Sequence, residues 1–299
     1  MDTTENVTTR KSQASRIKKS NFVSFISRFA RDPLGLFGLI IVVLMVLSAV
    51  FASWIIPYDP IALDILHRLE PPSAAHIMGT DQLGRDVFSR VIMGGRIALK
   101  VALVSISMAL SFGLVLGLIA GYGPPWVDRL MIIFFDTIRS FPTIIFALAI
   151  VTLVGPSVNT IILVVIITTI PVYGRIVRAQ TQSMKNNEFI LAERAMGAGM
   201  PRILFVHMLP NIIGPLLIIA SMDIPAVVTI EAGLSFLGVG IRPPTPSWGS
   251  ILNDGYSFIR NTPWLIISGG IPLILTTLGF TFLGESLRDI FDPKLRKDV

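Results

Sequence analysis

The chain has 299 residues, 52% of them hydrophobic and only 15% charged, with a mean hydropathy of +0.72 and a formal net charge of +6. That balance excludes a soluble globular protein and places long uncharged stretches in a bilayer. With no cysteine there is no disulfide framework and no thiol chemistry, and the redox compartment stays undetermined.

Residues 1–32 read as a tail, with Arg10, Lys11, Arg16, Lys18, Lys19, Arg28 and Arg31 among Ser and Thr and no apolar core before Leu34. The apolar stretch that follows runs to Pro57 with bulky residues, unlike the short apolar region and small-residue cleavage site of a signal peptide. It predicts a retained first helix. Charge-free runs then mark residues 33–58, 101–127, 140–174, 203–222 and 261–284. A crossing needs about 20 apolar residues, so the run 140–174, with Gly155-Pro156-Ser157 as a turn inside it, holds two helices only if the first begins near Leu130. That places Asp136 and Arg139 within a span, and a helix following Pro210 must likewise carry Asp223. The pattern predicts an all-α polytopic membrane protein with six spans: 34–56, 97–120, 130–154, 158–178, 211–238 and 263–285. Together they make a membrane domain over 33–286, followed by a basic tail over 287–299.

Orientation follows from the basic residues. With both termini in the cytoplasm, the inside segments hold seven in the first tail, Arg129, five from Arg175 to Arg202 and four at the end, which is most of the 25. This distribution accounts for the high pI without nucleic acid.

The first external loop contains HIMGTDQLGRDVFSRVIMGGR from His76 to Arg96. Asp81, Arg85 and Asp86 lie at spacings that permit ion pairs, and Arg90 is four residues beyond Asp86. Two readings stay open: a self-satisfied ion-pair knot that shapes the start of the next helix, or direct contact with a solute or a delivering protein. His76 with Asp81 and Asp86 is a poor metal set, lacking a second His. In the second span Gly113, Gly117 and Gly121 form a small-residue ladder that predicts close helix packing. Gly121 to Trp126 makes a tight inside turn. Asp136 and Arg139, three apart, are expected to pair with each other. Asp223 and Glu231, eight apart, are expected on one side of a fifth span made bendable by Gly214, Pro215, Pro225 and Gly233. Asp223 and Glu231 are the candidates for lining a path, Asp223 first, with a hydrogen bond to a neighbouring helix or partner subunit as the alternative.

The loop 185–210 is too charged to be embedded. Ile190, Leu191, Ala195 and Ala198 recur at helical spacing, Gly197 and Gly199 offer a helix end, and Pro201 forbids simple continuation. A short helix, a break and a second amphipathic piece ending at Leu209-Pro210 are predicted.

This stretch resembles the cytoplasmic signature of permease subunits of ATP-binding-cassette importers, a Glu-Ala-Ala helix followed by Gly at a fixed offset and then Leu-Pro. Gly197 and Leu209-Pro210 keep the offset; the Glu-Ala-Ala slot reads Leu191-Ala192-Glu193, and His207 stands where an apolar residue is usual. These departures look like the dipeptide and oligopeptide branch, where the first carboxylate is displaced toward the helix start, as Glu188 is. The external pattern of His76, Gly79-Thr80-Asp81, Gly84-Arg85-Asp86 and Ser89-Arg90 resembles the C-type subunit of that branch. So do the segment Glu231–Leu252, with Leu-Ser-Phe-Leu-Gly and a proline-rich turn into Trp248-Gly249, and the Leu-Arg-Asp…Asp-Pro ending.

The resemblance implies the type I importer permease fold in a bacterial inner (plasma) membrane. It implies a homologous B-type permease as partner, two cytoplasmic ATPases that bind ATP and Mg, an external solute-binding protein, and surrounding lipid. The ATPases would dock on Glu188, Ala192, Glu193, Arg194, Ala195 and Gly197. Di- and oligopeptides are the implied cargo, with nickel, glutathione or other small conjugates as alternatives. The chain itself is expected to be non-catalytic and without cofactor or metal. It has neither a Gly-x-Ser-x-Gly elbow nor a phosphate-binding Gly-x-x-x-x-Gly-Lys-Ser/Thr loop, and His67, His76 and His207 are far apart. An ion-driven secondary transporter is the rival, disfavoured because no internal repeat is visible.

Overall fold

The computed structural model describes residues 29–291. Most of the first tail, residues 1–28, and the end of the second, residues 292–299, lie outside the described residues. No β-strand is formed among the described residues.

The first helix, α1 (Pro33–Val50), starts where Asp32 accepts the Leu34 amide at 3.1 Å and Pro33 takes a first-turn position, where a missing N–H costs nothing. A single turn, Ala52–Ile55, and a 3-10 turn, Ile65–His67, lie in the long connection that precedes the second helix. The second helix, α2 (Val87–Tyr122), begins well before residue 97, because Asp86 caps it by accepting the Ser89 amide at 2.8 Å. The charges of Arg90 and Arg96 interrupt the apolar pattern in sequence, but a helix requires only that its charges find partners, and here they do.

The third predicted span is two helices, not one. The first, α3 (Pro125–Arg139), and the second, α4 (Thr143–Val154), meet at an 83° bend. Pro142 has no amide proton to donate and biases Phe141 out of helical geometry, so a straight helix through 130–154 is not available. The next helix, α5 (Val158–Met184), is capped by Ser157, and the exposed α6 (Glu188–Ala195) follows it. From Met200 the chain is helical to Phe236 apart from a single turn residue at Asp223, as α7 (Leu209–Met222) and α8 (Ile224–Phe236) after a π-helical turn, Ile203–Met208. The second piece therefore does not end at Leu209-Pro210. The Leu209 amide reaches back five residues to Leu204, and this wider turn relieves the collision that the Pro210 ring would suffer with the carbonyl four residues earlier. A short helix, α9 (Trp248–Ser257), precedes α10 (Pro263–Phe291), which runs past residue 287 into the predicted tail. Five of these helical stretches are long and apolar enough to cross a membrane, and six if the bent pair counts as one span.

The centre of the molecule is the crossing of α2 and α5. A Cβ at Gly113 would sit 2.6 Å from the Tyr173 Cβ, at Gly117 2.6 Å from the Gly174 carbonyl oxygen, and at Gly121 2.6 Å from the Thr181 Cβ. The ladder thus exists so that two backbones touch. On the far side of α5, Gly174 gives its place to the buried Phe135 ring of α3.

Candidate functional site

Two polar regions stand out, at opposite ends of α2. At its first turn, the loop that precedes α2 folds into a buried ionic knot. Asp81, Arg85, Asp86 and Arg90 are each no more than 4% exposed. Asp81 receives Arg85 Nε at 2.7 Å, Arg90 Nε lies 3.3 Å from the same oxygen, and Arg85 Nη2 is 3.8 Å from Asp254 on α9. Burial pushes the Asp254 carboxyl above the usual range, despite the nearby Arg90 and Arg85 guanidiniums. Arg90 joins Asp81 rather than Asp86, whose oxygens are taken by the His76 ring at 2.9 Å and the Ser89 hydroxyl at 2.6 Å. The carboxylates of Asp81 and Asp86 are thus directed to different partners rather than gathered with His76 around one point.

The glycines of the loop explain its backbone. Gly79 and Gly84 have φ of +72° and +74°, and a Cβ on Gly84 would fall on the Asp64 carbonyl. Thr80 closes the loop by accepting the Glu70 amide at 2.9 Å. Trp248, 1% exposed, locks α9 onto the same turn: its Nε1 donates to the Val91 carbonyl at 2.9 Å, and its ring fills the space left by Gly94 and Gly95. Outside this knot, the exposed Asp64 hydrogen-bonds the His67 ring at 2.8 Å and raises the imidazole above its ordinary value.

At the other end of α2 lies α6. Glu188, Ala192, Arg194 and Ala195 are exposed, as are the large apolar residues Phe189, Leu191 and Met196, the last at 73%. Only Ile190 is fully buried and anchors the helix to the core. Glu188 sits in the first turn, where a negative charge suits the positive helix end. The helix stops in a Schellman motif: the Gly197 amide donates to Arg194 O at 2.9 Å, the Ala198 amide to Glu193 O at 2.9 Å, and Gly197 has φ +84°. Glu193 Oε2 reaches His207 Nε2 at 3.4 Å, tying α6 to the π-helical turn. Leu209 is half-buried and Pro210 exposed.

Between the two ends, two expectations change. Asp136 pairs with Arg175 of α5 and not with Arg139, because the bend after α3 leaves Arg139 in the last turn while α5 passes beside Asp136. Asp223 and Glu231 do not share a side. Eight helical residues turn about 80° beyond two full turns, and the helix is broken at Asp223 itself. Asp223, half-buried, accepts the Tyr173 hydroxyl at 2.8 Å, whereas Glu231 is completely buried and accepts Ser235 Oγ at 2.8 Å. Sequence reasoning also missed the Arg178–Asp128 pair, which Gln182 joins at 3.2 Å. The one available signal was the spacing of Arg175, Arg178 and Gln182 along one side of α5.

Comparison with known proteins gives this architecture a family. Residues 113–297 match the binding-protein-dependent transport system inner membrane component, and residues 20–72 match the N-terminal transmembrane domain of oligopeptide transport permease C. The chain is 39% identical over 266 residues to the dipeptide transport system permease protein DppC of Alkalihalophilus pseudofirmus, covering 89% of this chain and 88% of that protein. It is 38% identical over 273 residues to the glutathione transport system permease protein GsiD of Pectobacterium atrosepticum (91% of each), and 35% identical over 270 residues to the oligopeptide transport system permease protein OppC of Bacillus subtilis (90% and 88%). Among solved structures, inward-facing MetNI methionine ABC transporter shares the fold, with a TM-score of 0.55 at 19% identity over 68% of this chain and 97% of that one. The chain belongs to the family of binding-protein-dependent transport system inner membrane components, and it is a multi-pass transport permease.

Proposed function

We propose that this chain is one of two permease subunits of an ATP-driven importer of di- and oligopeptides in a bacterial inner membrane. A homologous B-type subunit would complete the translocation path, two cytoplasmic ATPases would supply ATP and Mg chemistry, and an external binding protein would deliver the peptide. The observation that carries the reading is α6: a helix that shows Phe189, Leu191 and Met196 to the outside yet is pinned by Ile190, Glu193 and its Schellman end. Exposed apolar side chains on a fixed polar loop are what a partner subunit requires. Both termini and α6 would then face the cytoplasm and the ionic knot the outside, in keeping with the basic residues. Nucleic acid has no place in this reading.

Movement of the ATPases would push α6 and tilt the spans between outward and inward openings. Asp223 is the candidate for the path, since it is half-exposed and held by a single hydroxyl; Glu231, sealed beneath α9, serves packing. The names of the relatives support peptide as cargo, and the glutathione permease among them makes γ-linked peptides part of the substrate panel.

The test is uptake of labelled di- and tripeptides and glutathione into vesicles holding the chain, its B-type partner, the ATPases and the binding protein. Uptake requiring both ATP and the ATPases is expected. Uptake by this chain alone, driven by a proton or sodium gradient, would overturn the proposal.

A further inference from the structure

Lys185, just before α6, and Arg194, in its last turn, converge on one side chain that the coupling signature does not include. Tyr122 is the last residue of α2. The Arg194 guanidinium lies over its ring at 4.9 Å from the centroid, and Arg194 Nε donates to its hydroxyl at 3.0 Å. Lys185 Nζ is 5.4 Å from the same centroid and donates to the Tyr122 carbonyl at 2.8 Å and the Gly123 carbonyl at 3.4 Å.

These contacts fix direction as well as distance. A planar guanidinium that both stacks and donates to one phenol fixes the angle between α6 and α2, which a Lys–Glu pair would not. Lys185 meanwhile satisfies the terminal carbonyls of α2, where a helix has orphan acceptors and a partial negative charge. The neighbouring Glu193 reaches the other way, to His207.

The helix that Tyr122 ends is unusual. Its 36 residues contain no proline, so it is a continuous rod of about 54 Å at the standard rise. Its far end is Asp86, Ser89 and Arg90, held in the ionic knot, with α9 bolted on through Trp248 and Arg85–Asp254. Along its length it touches the α5 backbone through Gly113, Gly117 and Gly121. A displacement received at Tyr122 is therefore carried to the external loop and to α5 without a hinge between.

We propose that Tyr122 is the positioning residue that passes motion of α6 into α2, so that α2 links the ATPase-facing surface to the external knot. This rests on the importer reading above. The experiment uses the assembled transporter in vesicles and reads solute taken up per ATP hydrolysed for wild type, Tyr122→Phe, Tyr122→Leu and Tyr122→Ala. Tyr122→Ala and Tyr122→Leu are expected to keep ATP hydrolysis while the ratio falls about fivefold or more, the lower range of coupling between distant sites. Tyr122→Phe, which keeps the ring face and loses the hydroxyl acceptor, should recover part of it. Where Tyr122→Ala fails to assemble, Tyr122→Leu, which keeps apolar bulk, decides. A wild-type ratio in Tyr122→Leu overturns the proposal while leaving the importer reading intact. A wild type whose uptake is indifferent to ATP overturns the importer reading and this proposal with it.

Discussion

The two ends of α2 use the same residue types to opposite ends. In the knot, Asp81, Arg85 and Arg90 are sealed from water and paired in charge with one another. At α6, Glu188 and Arg194 are exposed, and apolar side chains stand among them. Even the glycines differ: a Cβ at Gly84 would strike the Asp64 backbone, whereas a Cβ at Gly197 meets nothing within 4 Å. Charge and glycine thus close one region and present the other. The signature motifs of a chain do not say which; burial does.

That contrast can be broken most forcefully in the knot. Asp81→Ala leaves Arg85 and Arg90 buried without their shared carboxylate, a loss of about 3–5 kcal/mol for a broken buried pair. The expected result is a large drop in the thermal midpoint of the detergent-solubilised protein and in its membrane yield. An unchanged midpoint would mean that the knot is solvated after all.

A smaller and more local effect is expected at the exposed end. Gly197→Val forces a β-branched residue into left-handed backbone at φ +84°, at a cost of about 1–2 kcal/mol. With open space around it, the strain stays in the loop. The protein should remain in the membrane with a nearly normal midpoint while ATP hydrolysis and uptake come apart, and Gly197→Asn should be milder. Uptake equal to wild type in Gly197→Val would remove α6 from the coupling role.

The smallest effect sharpens the comparison within the loop that holds the knot. Asp64 and His67 are both about half exposed, outside the knot. Because the Asp64 hydrogen bond raises the His67 imidazole, the pair's stabilising contribution is present below the ordinary imidazole range and fades as pH rises through the raised value. Asp64→Asn should lower the His67 titration midpoint, followed by NMR, without a measurable change in thermal stability. A large loss would show that this exposed pair belongs to the knot.

Much of this was readable in advance. The Gly113/Gly117/Gly121 ladder is a helix contact because only the absence of side chains lets α2 and α5 meet, and four-residue spacing already says so. Gly197 ends α6 because a left-handed residue is needed there. Other features were not readable. The early start of α2 depends on Arg90 finding Asp81 across the loop. The partner of Asp136 is Arg175, 39 residues on, and not the nearby Arg139. The convergence of Lys185 and Arg194 on Tyr122 spans 63 and 72 positions.

By itself the sequence determined the class of the protein, its apolar spans and the loops that carry its family's signatures. These follow from local composition and spacing: hydropathy is additive along the chain, and glycine and proline act on their own backbone. Tertiary structure alone decided which charges are sealed and which are offered, where α2 begins, the 83° bend between α3 and α4, and that Glu231 is fully buried while Asp223 is partly exposed. Ion pairing, burial and helix register are set by which elements meet in space, and no spacing within one element encodes the neighbour that will stand beside it.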